Sequence, residues 1–114
     1  MPPRIKPRLV YWQPGVTIFK PMGIPARSME IVVINIDEFE AMRLVDLEGL
    51  SQEEAAQKMN VSQPTINRLL TSARRKIADA LTNGKMIRIE GGNYKYIPPR
   101  GMGRHGRGYG RRMI

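Results

Sequence analysis

Between positions 62 and 76 the chain carries Ser62, Gln63, Thr65, Asn67, Arg68, Thr71, Arg74, Arg75 and Lys76 with no acid among them. The chemistry this set can do is recognition of a polyanion. Gln63 and Asn67 each hold a donor beside an acceptor, the pattern that addresses adenine. Arg68 carries a planar fork that matches O6 and N7 of guanine, and a good pairing of either kind contributes about 1–3 kcal/mol of discrimination. Ser62, Thr65 and Thr71 can donate to phosphate oxygens, while Arg74, Arg75 and Lys76 supply attraction that ignores base sequence. The first group would carry specificity and the second affinity.

Other chemistry is scarce. The absence of cysteine excludes disulfides, thiolate zinc sites and a cysteine nucleophile, and fits a reducing compartment. His105 is the one histidine; with Met102 and Met113 as its soft neighbours it offers too few fixed ligands for a metal. Asp37, Glu38, Glu40, Asp46, Glu48, Glu53 and Glu54 read as helix caps or solvent-facing residues, and no base accompanies a nucleophile. The expectation is a binding protein without cofactor or metal, not an enzyme.

To present residues 62–76 together the chain needs a helix there, and the signals for one are present. Ser62 can cap it, Pro64 is tolerated in a first turn whose amides have no intrahelical partner, and Asn83 with Gly84 closes it. Ile66, Leu69, Leu70, Ala73, Ile77, Ala80 and Leu81 recur as one apolar face. Before it, Ser51 and Glu54 have capping-box spacing and open a helix of about two turns with Ala55, Ala56 and Met59 on its apolar side. Asn60 sits between the two helices and tolerates a left-handed backbone. Two helices crossing steeply, small residues at their contact and such a turn make a helix-turn-helix over residues 51–81.

An earlier helix is predicted to start at Asp37, with Glu40 completing the capping box, and to stop near Glu48 ahead of Gly49; it would bury Phe39, Met42 and part of Leu44, Val45 and Leu47. Residues 29–36 are a run of apolar and β-branched side chains and read as a buried strand. Residues 86–97 read as two short strands joined by Gly91, Gly92 and Asn93, a hairpin. The fold class is therefore mainly α, a three-helix core with short flanking strands and basic tails.

With 114 residues, one domain is expected. Residues 1–28, with six prolines, form a basic arm with short strands, residues 29–97 the helical domain, and residues 98–114 a glycine- and arginine-rich tail that should be disordered when free. The net charge of +9 resides in the two ends: residues 1–20 hold four basic side chains and residues 98–114 five arginines, with no acid in either, so residues 21–97 are neutral. Inside that neutral stretch, residues 37–54 hold seven acids against Arg43, and residues 57–77 hold five basic residues and no acid. One face should be strongly positive. No stretch has the roughly 18 apolar residues of a membrane span and the N-terminus lacks a signal-peptide core, so a cytoplasmic protein with no membrane partner is expected.

The segment VVINIDEFEAMRLVDLEGLSQEEAAQKMNVSQPTINRLLTSARRKIADALTNGKMIRIEGG resembles uncharacterised protein family 0251, small DNA-binding proteins of bacteria and archaea, over residues 16–92. Asn60 stands where members often have glycine. Within it, LEGLSQEEAAQKMNVSQPTINRLLTSARRKI is similar to sigma-factor region four, which reads promoter DNA through its helix-turn-helix. The resemblance implies double-stranded DNA as partner. A transcription regulator fits better than an initiation factor, because the parts that bind polymerase and melt DNA do not fit in so short a chain. This sequence lacks the cysteines that some relatives carry near the N-terminus, and the domain similar to iron-molybdenum cofactor proteins that some have attached, so no metal-responsive role is carried over.

Two other readings stay open. An RNA- or ribosome-associated protein would use the basic arm and would contact RNA through Arg104, Arg107, Tyr109 and their neighbours in the tail. A protein-interaction module would use the same helix pair on another protein. A homodimer is compatible with one motif covering few base pairs, with residues 29–36 and 86–97 building the interface.

Overall fold

The computed structural model describes residues 6–99. Three helices form the body: α1 (Ile36–Met42), which runs on into a wider π-helical turn (Arg43–Leu47), α2 (Gln52–Met59) and α3 (Gln63–Asn83). Five short strands flank them: β1 (Arg8–Val10), β2 (Ile18–Phe19), β3 (Ile31–Ile34), β4 (Met86–Ile89) and β5 (Tyr94–Tyr96). The protein is mainly helical. No helix among the described residues is long and apolar enough to cross a membrane.

α1 begins two residues earlier than the Asp37–Glu40 spacing predicts. Its cap is Asn35, whose backbone amide donates to the Glu38 carboxylate at 2.9 Å. The shift has a tertiary cause: the Ile36 amide donates to the Gly91 carbonyl at 2.9 Å, which ends β3 at Ile34 and starts the helix at once. Starting there turns Asp37, Glu38 and Glu40 inward, so these three are buried and not solvent-facing. At its far end the helix widens: the Glu48 amide reaches the Arg43 carbonyl, five residues back, and Gly49 at φ 83° stops it.

The hairpin predicted for residues 86–97 does not form. β4 is the middle strand of a three-stranded sheet, parallel to β3 and antiparallel to β2, and β5 pairs in parallel with β1. Gly92 accounts for the divergence. At φ 102° it passes so close to the start of α1 that an added Cβ would lie 2.6 Å from Asp37 Oδ1 and 2.9 Å from Asn35 Cβ. The turn is thus packed against α1 and sends the chain across to β1.

Residues 6–28, read from the sequence as an arm, belong to the domain. Val10 is fully buried, β1 and β2 each pair with a strand from the C-terminal third, and the Tyr11 amide donates to Glu40 at 2.8 Å. Local sequence does not announce this because both pairings span more than 65 residues. The core joins Val10 and Ile34 to Ala41, Leu44, Ala55, Met59, Ile66 and Leu70. Each large member contributes about 1.5–3 kcal/mol by leaving water. One member of the predicted apolar face departs from it: Leu81 is 76% exposed, although Ala80 beside it is buried. The readings made of residues 1–5 and 100–114 lie outside the described residues.

Candidate nucleic-acid interface

α2 and α3 meet through the smallest apolar side chains available. Ala55 and Ala56 are buried at the contact, with Met59, Ile66 and Leu70 filling the space beside them. Small residues let two helices approach closely at a steep angle. The connection spans three residues. Asn60 adopts φ 59°, ψ 48°, the single left-handed non-glycine residue among those described. Its amide reaches Gln57 O at 3.2 Å and the Val61 amide reaches Ala56 O at 3.0 Å, the paired bonds that terminate a helix and redirect the chain.

Ser62 caps α3 by accepting the Thr65 amide at 3.2 Å, and the two hydroxyls bond each other at 2.9 Å. Arg68 in turn donates from Nη2 to the Thr65 hydroxyl at 3.2 Å. Ser62, Thr65 and Arg68 are therefore linked at the start of the helix. Gln63, Asn67, Arg68, Thr71 and Arg75 are exposed along it. Arg68 and Arg75, two turns apart, stand on the side opposite the buried stripe.

Two of the nine sequence-derived site residues are engaged elsewhere. Arg74 makes a two-point contact with Asp46, Nε to Oδ2 at 3.1 Å and Nη2 to Oδ1 at 2.7 Å. Lys76 is half-buried and donates to both oxygens of Glu38 at 2.8 and 3.1 Å. Helical periodicity explains why: positions 74 and 76 fall on the two flanks of the apolar stripe, where α1 and the turn that follows it bring acids alongside. The Arg74 guanidinium beside it holds the Asp46 carboxyl below the ordinary range, and Asp46 raises Arg74 in return.

The carboxylates that sequence reading left on the surface form the polar part of the interior. Burial by itself would raise Glu38, but bonds from Lys76, Ser72 and the Asn35 amide outweigh it and hold the carboxyl below its usual value. Asp37 accepts from Arg8 at 2.9 Å. Glu40 takes both arms of Arg43 at 2.9 Å along with the Tyr11 amide. No buried side-chain polar atom among the described residues lacks a partner. The cluster thus ties α1 to β1 and α3 instead of presenting acids to a substrate. Among the described residues no three potential ligands come together as a metal site. Tyr11 adds a contact that no local signal announces, donating its hydroxyl to Lys58 O at 2.8 Å near the end of α2.

The result is an exposed face of α3 with two cations that make no salt bridge among the described residues, Arg68 and Arg75, together with two carboxamides and several hydroxyls. Acids are absent from residues 55–78 altogether. The N-terminus of this long helix adds partial positive charge on the same side.

Comparison with known proteins places residues 1–97 in one family. The family model described as protein of unknown function DUF134 matches residues 1–97. The UPF0251 protein of Caldanaerobacter subterraneus subsp. tengcongensis is 60% identical over 95 residues, covering 83% of this chain and 80% of that protein. That of Thermoanaerobacter pseudethanolicus is 55% identical over the same shares. A third, from Thermoanaerobacter sp. strain X514, is 51% identical over 106 residues, covering 93% of this chain and 94% of its own length. No solved structure matches.

Proposed function

The chain belongs to the family described as protein of unknown function DUF134 and is similar to UPF0251 proteins, and we propose that it is a double-stranded DNA-binding transcription regulator acting in the cytoplasm. In this reading α2 and α3 are a helix-turn-helix of the kind found in sigma-factor region four, with α3 lying in the major groove.

The observation that carries the reading is the union of the left-handed Asn60 turn with an acid-free, exposed face at the start of α3. A helix pair crossing at this turn presents the first half of its second helix outward, which is the part that reaches base edges in such motifs. Gln63, Asn67 and Arg68 are the base-reading side chains. Ser62, Thr65, Thr71 and Arg75 contact phosphates. Arg74 and Lys76, held by Asp46 and Glu38, orient α3 on α1 and take a smaller part in binding.

Selection of bound duplexes from a random pool at about 0.15 M salt tests this, since salt sets the nonspecific background. A defined motif whose information falls at one position in Arg68→Ala supports the reading. Featureless binding that single-stranded RNA removes overturns it in favour of an RNA-associated role, and absence of binding overturns it in favour of a protein partner.

A further inference from the structure

We propose that the patch formed by the 19–24 loop and the C-terminal end of α3 is a surface for self-association, its partner a second copy of this chain. The inference does not rest on nucleic-acid binding. The sequence suggested strands in 29–36 and 86–97 for such a contact; of these β4 is interior to its sheet, while β3 and β5 are edge strands.

Five of the ten exposed large apolar side chains among the described residues lie between positions 16 and 24. Residues 20–24 are preorganised. Lys20 Nζ donates to Ile24 O at 2.6 Å, Pro21 and Pro25 restrict φ on either side, and Gly23 takes φ 84°. Phe19, Pro21 and Ile87 meet Leu81 around a shallow cleft of about 220 Å³. Leu81 occupies a position that helical periodicity assigns to a buried stripe, yet it is 76% exposed among the described residues. The exposed parts of Phe19, Met22, Ile24 and Leu81 come to roughly 500 Å² of apolar surface, at the upper end of what monomers leave exposed and more than half of the roughly 800 Å² per partner in a standard interface.

Charge selects the second copy. Two chains of +9 repel each other across most of their surface, and α3's exposed N-terminal face is positive. Around this patch both signs are present: Lys20 and Lys85 line the cleft, and Lys85 is paired with Asp79 at 3.1 Å and Glu30 at 3.3 Å. Lys20 donates only to backbone carbonyls among the described residues, and the Glu30 side chain is 79% exposed. A two-fold contact pairs the same patch with itself and allows such a cation and carboxylate to meet reciprocally. The patch also lies at the far end of α3 from Ser62, about 30 Å away for 21 residues, so self-association leaves the N-terminal face of both helices free.

Sedimentation velocity on the nuclease-treated full chain, at about 0.15 M and 0.5 M salt, is the test. The expected mass is twice 13.0 kDa, retained at the higher salt because the contact is mainly apolar. Leu81→Arg and Met22→Ser, both at exposed positions and checked for unchanged circular dichroism, should each weaken the dimer by about tenfold or more. Arg68→Ala should leave it intact. A monomer at all concentrations up to about 100 μM overturns the proposal, since a contact weaker than that is below the range of specific dimers. So does a dimer indifferent to Leu81→Arg and Met22→Ser, or one lost in Arg68→Ala.

Discussion

Replacing Asn60 isolates the turn between α2 and α3 from every other contribution. The residue is exposed and its side chain makes no hydrogen bond among the described residues, so substitution changes little besides backbone preference. At φ 59°, ψ 48° an L-residue other than glycine or asparagine pays about 1–2 kcal/mol, and a β-branched one is the least tolerant. Asn60→Val should therefore lower stability by about 2 kcal/mol, whereas Asn60→Gly should be neutral or gain a few tenths. For a chain of this size a loss of that order lowers Tm by about 6–12 °C. Urea unfolding followed by far-UV circular dichroism reads both variants, and an unchanged m-value would locate the effect in the native turn. If the valine and glycine variants agree within about 0.5 kcal/mol, the turn is not held left-handed and the argument for the α2–α3 geometry fails.

Other outcomes follow from the pairing pattern. Arg75→Ala should weaken all duplexes and reduce the salt slope of log K by about 0.9, while Arg74→Ala should change it less because that guanidinium is shared with Asp46; salt titrations of binding decide between them. Glu38→Gln should cost about 1–3 kcal/mol in denaturant unfolding, because Lys76 and Ser72 lose a buried carboxylate. Since the folded pKa of Glu38 is depressed, its contribution is present above the unfolded value of about 4.3 and is lost as pH falls through the folded value, so the glutamine variant should show a shallower loss of stability in acid. Gly92→Ala forces a Cβ to 2.6 Å from Asp37 at a positive φ, and should destabilise by about 2 kcal/mol or more in the same unfolding assay.

What could be read from the sequence alone was what neighbouring residues decide among themselves. The two-turn α2, the Ser51 and Ser62 caps, the left-handed Asn60 and the closure of α3 near Asn83 and Gly84 all depend on spacings of one to four residues, the range over which backbone amides find side-chain caps. The exposed Gln63, Asn67, Arg68, Thr71 and Arg75 followed from the 3.6-residue period in the same way. Tertiary structure decided the rest, since the deciding partner lies far along the chain. It set the start of α1 through the Gly91 carbonyl, drew Asp37, Glu38 and Glu40 inside through Arg8, Lys76 and Arg43, and engaged Arg74 and Lys76 that local reading left free. It also separated β4 from β5 and left Leu81 exposed. A charged side chain has no local signature for whether it will be solvated or paired; only the approach of an opposite charge across the fold settles it.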